Sequence, residues 1–297
     1  MSDLIAVVGS CNVDHVWVGQ VAPSSGETLL ADSYEVHPGG KGANQATAAA
    51  KLGGRVQMVG CLGKDSGGAL LKGVLQKAGV GVSYLSELDG VATGTAGIFV
   101  DGKGANSIYV GPGANRSVTA ERVSFALTMI RPQWVLMQGE TPYEGLYEAV
   151  KHGRLILNPA PAFEVPADIL ARTWLITPNE HETAVMTGIH PNTEDECDAA
   201  CQALLSRGVQ HVVITRGEKG AFASGIGVIP PYPVAPVDTT GAGDCFTGSL
   251  AAALSKGMDL AGALKVASVA AALSTMKKGA QESMPDWQQV STILSGG

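Results

Sequence analysis

Short apolar runs recur along the chain and alternate with longer amphipathic stretches. The runs are apolar at successive positions, which is typical of parallel strands covered by helices on both faces. They span residues 5–8, 57–60, 134–137, 155–157, 174–177 and 212–215. Helical patterns span residues 42–52, 66–78, 119–130, 143–151, 180–187, 195–207, 243–256 and 259–276. This alternation predicts an α/β fold with a doubly wound, mostly parallel sheet and helices on both faces.

Two segments depart from the alternation and are β-rich. Residues 12–38 show alternating apolar positions, and residues 93–110 fit a hairpin with Asp101 and Gly102 in its turn. We predict that both form a small second sheet, which either closes over a site as a lid or only extends an edge. The large domain then comprises residues 1–11, 39–92 and 111–297, and the small one residues 12–38 and 93–110.

Charge and composition argue against several classes of function. The formal net charge is −7 and no basic stripe is present, so nucleic-acid binding lacks its electrostatic footprint. No apolar run approaches the roughly 20 residues of a membrane-spanning helix. The first residues lack the positive region and the cleavage site of a secretory signal. We therefore expect a cytoplasmic protein without nucleic-acid or membrane partners.

The five cysteines are Cys11, Cys61, Cys197, Cys201 and Cys245. Their odd number and scattered spacing do not indicate a disulfide framework. Cys197 and Cys201 are four residues apart and would suit half of a zinc site, but no second pair of ligands with a fitting spacing follows. Ordinary reduced thiols are the favoured interpretation.

The clearest candidate for chemistry is the glycine-rich segment 238–244, which opens a helix of small residues. Its glycines let several N–H groups converge, and a helix N-terminus adds partial positive charge, so the segment predicts an anion site. Asp244 would repel a bound anion, but it makes sense as a general base for a hydroxyl that attacks a phosphate. The alternative is that Asp244 caps the helix or complements its dipole. The spacing leaves both interpretations open.

A second glycine-rich segment, residues 39–45, also precedes a helix of small residues. Lys41 and Asn44 stand at the start of this helix, where they could reach a hydroxylated ligand. The segment is not a Walker A loop, because no Gly-x-x-x-x-Gly-Lys-Ser/Thr occurs in the chain. A complete Gly-x-Gly-x-x-Gly is also absent, which argues against dinucleotide binding.

Two further polar pairs follow predicted strands. Asn12 and Asp14 share a face if the segment stays extended, and an amide with a carboxylate suits sugar hydroxyls, although a simple turn would also explain them. Asn179 and Glu182 are three residues apart at the start of a predicted helix. They could order Mg²⁺ through water, or they could form a capping box, which the sequence alone favours.

Together these segments resemble the ribokinase/phosphofructokinase-B family of sugar kinases, and the resemblance covers nearly the whole chain. Residues 39–53 look like the first signature of that family and residues 238–250 like the second. Further family-like stretches are residues 9–15, 137–142, 157–162, 177–182, 215–220 and 278–281. The resemblance implies a ribokinase-like fold and ATP-dependent phosphorylation of a small neutral sugar, with D-ribose as the favoured substrate. It also implies a homodimer formed through the lid sheets.

The resemblance assigns expected roles to individual residues. Asp244 would be the catalytic base, with an anion hole formed by Gly241, Ala242 and Gly243. The sugar would be held by Asn12, Asp14, Gly40, Lys41, Asn44, Glu140 and Asp244. ATP would contact Asn179, Thr215, Arg216, Gly217, Glu218, Lys219, Gly220, Gly243 and Ser268. Glu182 would organise Mg²⁺ through water, and an activating K⁺ would lie near Asp238, Thr240, Ser274, Lys277, Gly279 and Ser283. Ser268 departs from the histidine of some ribokinases, which affects the expected packing of the adenine.

The charge of the segment 12–38 narrows the class of substrate. It contains no Lys or Arg, although a sugar phosphate would need such a partner for its phosphate. A neutral sugar is therefore favoured over a sugar phosphate. Lys41 and Arg116 lie outside this segment and are the cations that could still pair with a substrate phosphate. Another pentose or fructose is an alternative substrate. A nucleoside is a further alternative, since aromatic rings that could stack on a base are present at Trp17, Tyr34, Phe99 and Tyr109.

Two alternatives come from other functional classes. The chain could be a sugar-binding regulator without activity, but the intact glycine loop and Asp244 argue against this. It could also be a nicotinamide-dependent oxidoreductase, which shares the α/β pattern but normally carries the glycine fingerprint that is missing here.

Overall fold

The computed structural model of the protein describes residues 3–296. Met1, Ser2 and Gly297, at the ends of the predicted large domain, lie outside the described residues. The strands are β1 (Leu4–Val8), β2 (Asn12–Val18), β3 (Ser33–Gly39), β4 (Arg55–Gly63), β5 (Gly81–Leu88), β6 (Gly94–Val100), β7 (Asn106–Gly111), β8 (Trp134–Met137), β9 (Arg154–Leu157), β10 (Thr173–Ile176), β11 (His211–Thr215), β12 (Ala221–Ala223) and β13 (Gly227–Ile229). The helices are α1 (Lys41–Lys51), α2 (Ser66–Lys77), α3 (Ala120–Ile130), α4 (Glu144–His152), α5 (Ala167–Leu170), α6 (Glu180–Thr187), α7 (Glu194–Leu205), α8 (Ala242–Ser255), α9 (Leu260–Ser274) and α10 (Trp287–Ser295). Short 3-10 turns lie at Gly113–Ser117 and Gly217–Lys219.

The main sheet has nine strands in the order β13-β12-β11-β10-β9-β8-β1-β4-β5. The strands from β11 to β5 are parallel, and β12 and β13 extend one edge in antiparallel fashion. The chain leaves β1 towards β4 and β5 and later returns to β8 on the other side of β1, so the strand order reverses there. In such sheets, ligands bind outside the carboxyl ends of the strands at this reversal.

Helices cover the main sheet on both faces because its central strands carry apolar side chains on both sides. In β1, Ile5 and Val7 pack into one core with side chains of α1, α2, α8, α9 and α10. Ala6 and Val8 point the other way and pack with side chains of α3, α4, α5 and α7. The predicted doubly wound α/β fold is therefore confirmed.

The second sheet is small and has the strand order β3-β2-β6-β7. Strand β2 pairs antiparallel with β3 and parallel with β6, which joins the two β-rich segments of the sequence in one sheet. Strands β6 and β7 form the predicted hairpin, and the Asp101 carboxylate accepts the N–H groups of Lys103 and Ala105 in its turn. Residues 19–32 connect β2 to β3 without a strand, and nearly all of them are exposed.

The apolar pattern missed several elements, each for a local reason. Strand β5 lies at the edge of the main sheet, where only one of its residues is fully buried, so it shows no continuous apolar run. Strands β12 and β13 have three residues each, which is too short for a period to appear. Helix α10 carried a readable start signal, since Asp286 and Gln289 form a capping box.

The five cysteines lie in the core of the protein. All five thiols are buried and unpaired, and the Cys197 thiol donates to the Pro191 carbonyl oxygen. Among residues 3–296, no group of three or more His, Cys, Asp and Glu side chains is arranged to hold a metal ion. Within the same residues, every helix is too short or too polar to cross a membrane.

Candidate active site

A cavity of about 200 Å³ lies at the carboxyl ends of strands β9, β10 and β11. It is lined by Lys41, Asn158, Ala160, Thr177, Asn179, Glu182, Thr215, Thr239, Gly241, Ala242, Gly243 and Asp244. The lining combines the starts of α1, α6 and α8 with loops that follow parallel strands, as the topology predicts. A wider hollow of about 560 Å³, lined in part by Tyr143, Phe163 and Arg207, contains none of the predicted site residues.

Asp244 lies in the first turn of α8 and is 6% exposed. Its Oδ2 accepts a hydrogen bond from Asn44 Nδ2 at 2.9 Å, and its Oδ1 accepts one from Gln45 Nε2 at 3.0 Å. The helix is preceded by Gly241, which lies in the left-handed region at φ 75°, and no side chain caps it. The carboxylate is thus aimed into the site by two amides of α1 and does not cap its own helix.

The loop before α8 has the geometry of an anion site. The N–H groups in the first turn of a helix have no partners within the helix. Gly241, Ala242 and Gly243 line the cavity, and the Ala242 N–H also donates to the Thr239 carbonyl oxygen at 3.2 Å. A Cβ on Gly243 would meet no atom within 4 Å, so this backbone is open to a ligand. The structure therefore brings the predicted anion loop and the predicted base to the same cavity.

Lys41 begins α1 and lies among several carboxylates. Burial by itself lowers the pKa of the Lys41 ammonium group, but the charges of Asp244, Glu140 and Glu182 outweigh it, so the pKa is raised. The ammonium group therefore stays protonated at neutral pH and offers a positive charge beside the anion loop.

Asn179 and Glu182 stand at the start of α6 and at the edge of the cavity. They form a capping box, in which Asn179 Oδ1 accepts the Glu182 N–H and the Glu182 carboxylate accepts the Asn179 N–H, each at 2.8 Å. Both residues also line the cavity. Burial raises the pKa of Glu182, although the hydrogen bond from Asn179 and the charge of Lys41 oppose the shift. A carboxylate has more lone pairs than these hydrogen bonds use, which suits a metal ion held through water.

On the sugar side of the predicted site, the polar groups are fixed by hydrogen bonds. The Glu140 carboxylate accepts the Ser10 hydroxyl, and it accepts the Lys41 N–H at 3.0 Å. Asn12 is 3% exposed, and its Oδ1 accepts a hydrogen bond from Asn115 Nδ2 at 2.7 Å. The Glu140 contacts tie the segment after β1 to the start of α1, and the Asn115 contact ties the start of β2 to the 3-10 turn Gly113–Ser117.

Gly40 and Asp14, on the sugar side of the predicted site, lie where the chain is closely packed. Gly40 has φ 88°, and a Cβ there would lie 2.7 Å from the Asn12 nitrogen. Asp14 lies against Gly39, where a Cβ would come within 2.0 Å of Asp14 Oδ2. Burial and the charge of Glu140 raise the pKa of Asp14 to about 7, although His37 opposes the shift.

The residues predicted for ATP are only partly gathered at the cavity. Asn179 and Thr215 line it and form an isolated parallel bridge. Arg216 is turned inwards, where its Nη2 donates to the Asn192 carbonyl oxygen at 2.7 Å. Ser268 lies on α9, and its hydroxyl donates to the Pro230 carbonyl oxygen. The remaining predicted residues, Gly217, Glu218, Lys219 and Gly220, form the turn after β11 and are not among the cavity lining.

The residues predicted for a monovalent cation lie around the loop that follows α9. Asp238 accepts the N–H groups of Thr240 and Gly279, each at 2.9 Å. Burial raises the pKa of Asp238, but these hydrogen bonds outweigh it and lower the pKa. The hydroxyls of Ser274 and Ser283 donate to carbonyl oxygens three residues earlier in the chain. Lys277 is exposed.

Sequence reasoning missed five buried amides that are hydrogen-bonded to the site residues or to each other. They are Gln45, Asn115, Gln138, Asn158 and Gln281. Gln45, Gln138, Asn158 and Gln281 lie within segments that were singled out for glycine content or family likeness, yet no side-chain role was expected for them. Only the folded chain shows that these amides, which are far apart in sequence, bond to site residues or to each other.

Comparisons with known proteins identify the family of the chain. Residues 2–287 match the family described as pfkB family carbohydrate kinase. The chain is 39% identical to a ribokinase from Bacillus subtilis (strain 168), over 98% of this chain and 99% of the relative. It is 35% identical to a deoxyribokinase from Salmonella typhi, over 98% of each chain. The solved structure of Arabidopsis thaliana ribokinase complexed with ribose and ATP has a TM-score of 0.90 at 32% identity and covers 99% of each chain. The chain therefore belongs to the pfkB family of carbohydrate kinases.

Proposed function

We propose that this protein transfers the γ-phosphoryl group of ATP to a hydroxyl of D-ribose and so forms D-ribose 5-phosphate and ADP. The observation that carries the proposal is the buried Asp244 carboxylate, held by Asn44 and Gln45 beside the N-terminal loop of α8. Full-length relatives named ribokinase, and a similar fold solved with ribose and ATP, support the same substrates.

In the proposed reaction, Asp244 takes the proton of the attacking sugar hydroxyl. The sugar oxygen forms a bond to the γ-phosphorus while the bond from that phosphorus to the bridging oxygen of ADP breaks. The N–H groups of Gly241, Ala242 and Gly243 and the ammonium group of Lys41 face the charge that develops on the transferred group. The fixed orientation of Asp244 means that little reorganisation is needed when the hydroxyl arrives.

Two cations are part of the proposal. Mg²⁺ would neutralise charge on the phosphates, and Glu182 and Asn179 would hold it through water. A monovalent cation, usually K⁺ in this family, would lie at the loop of Asp238 and Gly279, where the backbone is already ordered by the Asp238 carboxylate. Glu182 suits binding to Mg²⁺ through water, and not directly, because both of its carboxylate oxygens accept hydrogen bonds from Asn179.

The sugar would lie against Asn12, Asp14, Gly40, Asn44 and Glu140, with the small sheet as a lid. Deoxyribose is the second candidate substrate, because a deoxyribokinase is among the relatives of similar identity. The β-rich segments 12–38 and 93–110 would close over the sugar and exclude water during transfer.

The small sheet is also the proposed surface of a homodimer. Large apolar side chains are exposed on it, and Tyr109 is 89% exposed. The others include Trp17, Tyr34, Val36, Ile108 and Val110. A second copy that covers this sheet would remove that apolar surface from water. The unpaired thiols support a reducing compartment, and we propose the cytoplasm.

A release assay for ADP tests the function. The protein is incubated with ATP, MgCl₂ and KCl, and with ribose, deoxyribose, fructose, a nucleoside or no acceptor. We expect the highest kcat/KM with ribose and a product that carries phosphate on the 5-hydroxyl, as read by ³¹P NMR. A higher kcat/KM with another acceptor would show that this acceptor, and not ribose, is the preferred substrate. Sugar binding without turnover on any acceptor would favour the regulator, and the kinase proposal would fail.

A further inference from the structure

Gln45 is fully buried on α1, and its carboxamide contacts side chains from three other parts of the fold. Its Nε2 donates to Asp244 Oδ1 at 3.0 Å and to Asn158 Oδ1 at 3.1 Å. Its Oε1 accepts a hydrogen bond from Gln138 Nε2 at 2.8 Å. The amide therefore links the start of α8 to the ends of β8 and β9.

The orientation of this amide is fixed by its neighbours. The Asn158 Nδ2 donates to the Thr177 carbonyl oxygen, so Asn158 presents its oxygen to Gln45. A reversed Gln45 would place its oxygen against the oxygens of Asp244 and Asn158 and its NH₂ against the donor of Gln138. The strand ends thus determine that a donor, and not an acceptor, faces Asp244.

The backbone of Gln45 is positioned as closely as its side chain. Helix α8 approaches α1 at Gly248, where a Cβ would lie 2.4 Å from the Gln45 carbonyl oxygen. Asn44 and Gln45 are consecutive on α1, and a helix turns about 100° per residue, so their side chains diverge and reach different oxygens of Asp244.

We propose that Gln45 is a positioning residue for phosphoryl transfer, which fixes the Asp244 carboxylate towards the sugar hydroxyl and stabilises its negative charge. This rests on the proposed function, in which Asp244 is the base. Because the amide is neutral, it supports the carboxylate without adding a second group that titrates. The charged groups that face Asp244 from other elements are Lys41, Asp14 and Glu182.

The variant Gln45→Met keeps a similar volume and removes the hydrogen bond to Asp244 together with those to Asn158 and Gln138. We expect kcat to fall by about 10- to 100-fold, with a small change in the KM for ribose, because a misplaced base slows the chemical step more than binding. In the pH profile of kcat, the acid limb should move to higher pH, because the Asp244 carboxylate has lost a hydrogen-bond donor. A merely structural role for Gln45 would not move that limb.

Gln57→Met is the matched control, since Gln57 is a glutamine of β4 that packs against Gly81. It should keep the kcat and the pH profile of the wild type. If Gln45→Met does not fold, as judged by thermal unfolding, Gln138→Met becomes the deciding variant. It frees the Gln45 oxygen without touching Asp244, and it should shift the acid limb in the same direction by a smaller amount.

Asp244→Asn is measured beside these variants and separates the two proposals. Near-normal turnover of Asp244→Asn overturns Asp244 as the base. A large loss in Asp244→Asn together with an unchanged kcat and acid limb in the deciding glutamine variant overturns the role of Gln45 alone. A fall in kcat without a shift of the limb also overturns it.

Discussion

The imidazole of His37 on β3 lies 3.5 Å, measured from Nδ1, from Glu282 Oε1 in the loop after α9. Its Nε2 lies 3.0 Å from Glu35 Oε2 on the same strand. A Cβ on Gly279 would come within 3.8 Å of His37 Nδ1, so the imidazole touches the loop that holds the proposed K⁺ residues. The small sheet is thus connected to that loop by an ionisable pair.

This contact should make stability depend on pH in a defined direction. Burial alone lowers the pKa of His37, but the hydrogen bonds and charges of Glu35 and Glu282 outweigh it and raise the pKa. A raised pKa adds stability that is complete below the unfolded value of about 6.5 and is lost as the pH rises through the folded value. Asp14 and Asp238 also face His37.

We expect His37→Gln to lower the free energy of unfolding more at pH 5.5 than at pH 8.5, as measured by urea titration. The side chain of Glu282 is 49% exposed, so solvent screening limits the difference to about 1 kcal/mol or less. The exposed carboxylate of Glu164 offers a control, and Glu164→Gln should show no such pH dependence. Equal effects of His37→Gln at both pH values would contradict the prediction.

Asp14 should control how ribose affinity depends on pH. Its pKa is raised to about 7 by burial and by Glu140, so its ionised fraction grows between pH 6 and pH 8. If the ionised carboxylate accepts sugar hydroxyls, the affinity for ribose should rise by up to about tenfold over this range. Isothermal titration calorimetry with ribose checks this expectation.

Asp14→Asn should bind ribose with little dependence on pH. Since His37 titrates in a similar range, the measurement is repeated with His37→Gln, which should keep most of the pH dependence. An affinity of the wild type that stays constant from pH 6 to pH 8 would rule out the proposed role of Asp14.

Asp244→Asn should lose at least about two orders of magnitude in kcat, the scale of a lost general base. The asparagine keeps the size of the side chain, and ribose binding should change little. Steady-state kinetics and calorimetry measure the two effects separately. Turnover close to that of the wild type would remove Asp244 from the mechanism.

Gly248→Ala should disturb the contact between α1 and α8. The new Cβ would lie 2.4 Å from the Gln45 carbonyl oxygen and 2.8 Å from Ala48 Cβ, so the helices must separate. We expect a loss of about 1–3 kcal/mol in the free energy of unfolding and a lower kcat, because Asp244 moves away from its amides.

Gly73→Ala on α2 is the matched control, because a Cβ there meets no atom within 4 Å. It should be neutral or stabilise the protein by up to about 1 kcal/mol, since alanine favours a helix. Urea unfolding compares the two variants. Equal stability of both would show that the helices have room at Gly248.

The sequence predicted most of the main sheet because its central strands are buried on both faces and are therefore mostly apolar. It did not predict β5, β12 or β13, since edge strands and three-residue strands leave no clear period. In the site, the glycine loops were readable because they combine a local backbone requirement with a helix start. The roles of Asn12 and Asp14 could not be read from the sequence, because a simple turn after a strand would contain the same residues.

The α/β class, the two glycine-rich helix starts and the lack of Lys and Arg in the segment 12–38 are all readable from the sequence. Those features are local, so a short stretch of chain is enough to specify them. That Asp244 does not cap its helix becomes visible only in the folded chain, because its partners Asn44 and Gln45 lie about two hundred residues away in the sequence. Contacts over such separations depend on how helices and strands pack, which no local pattern records.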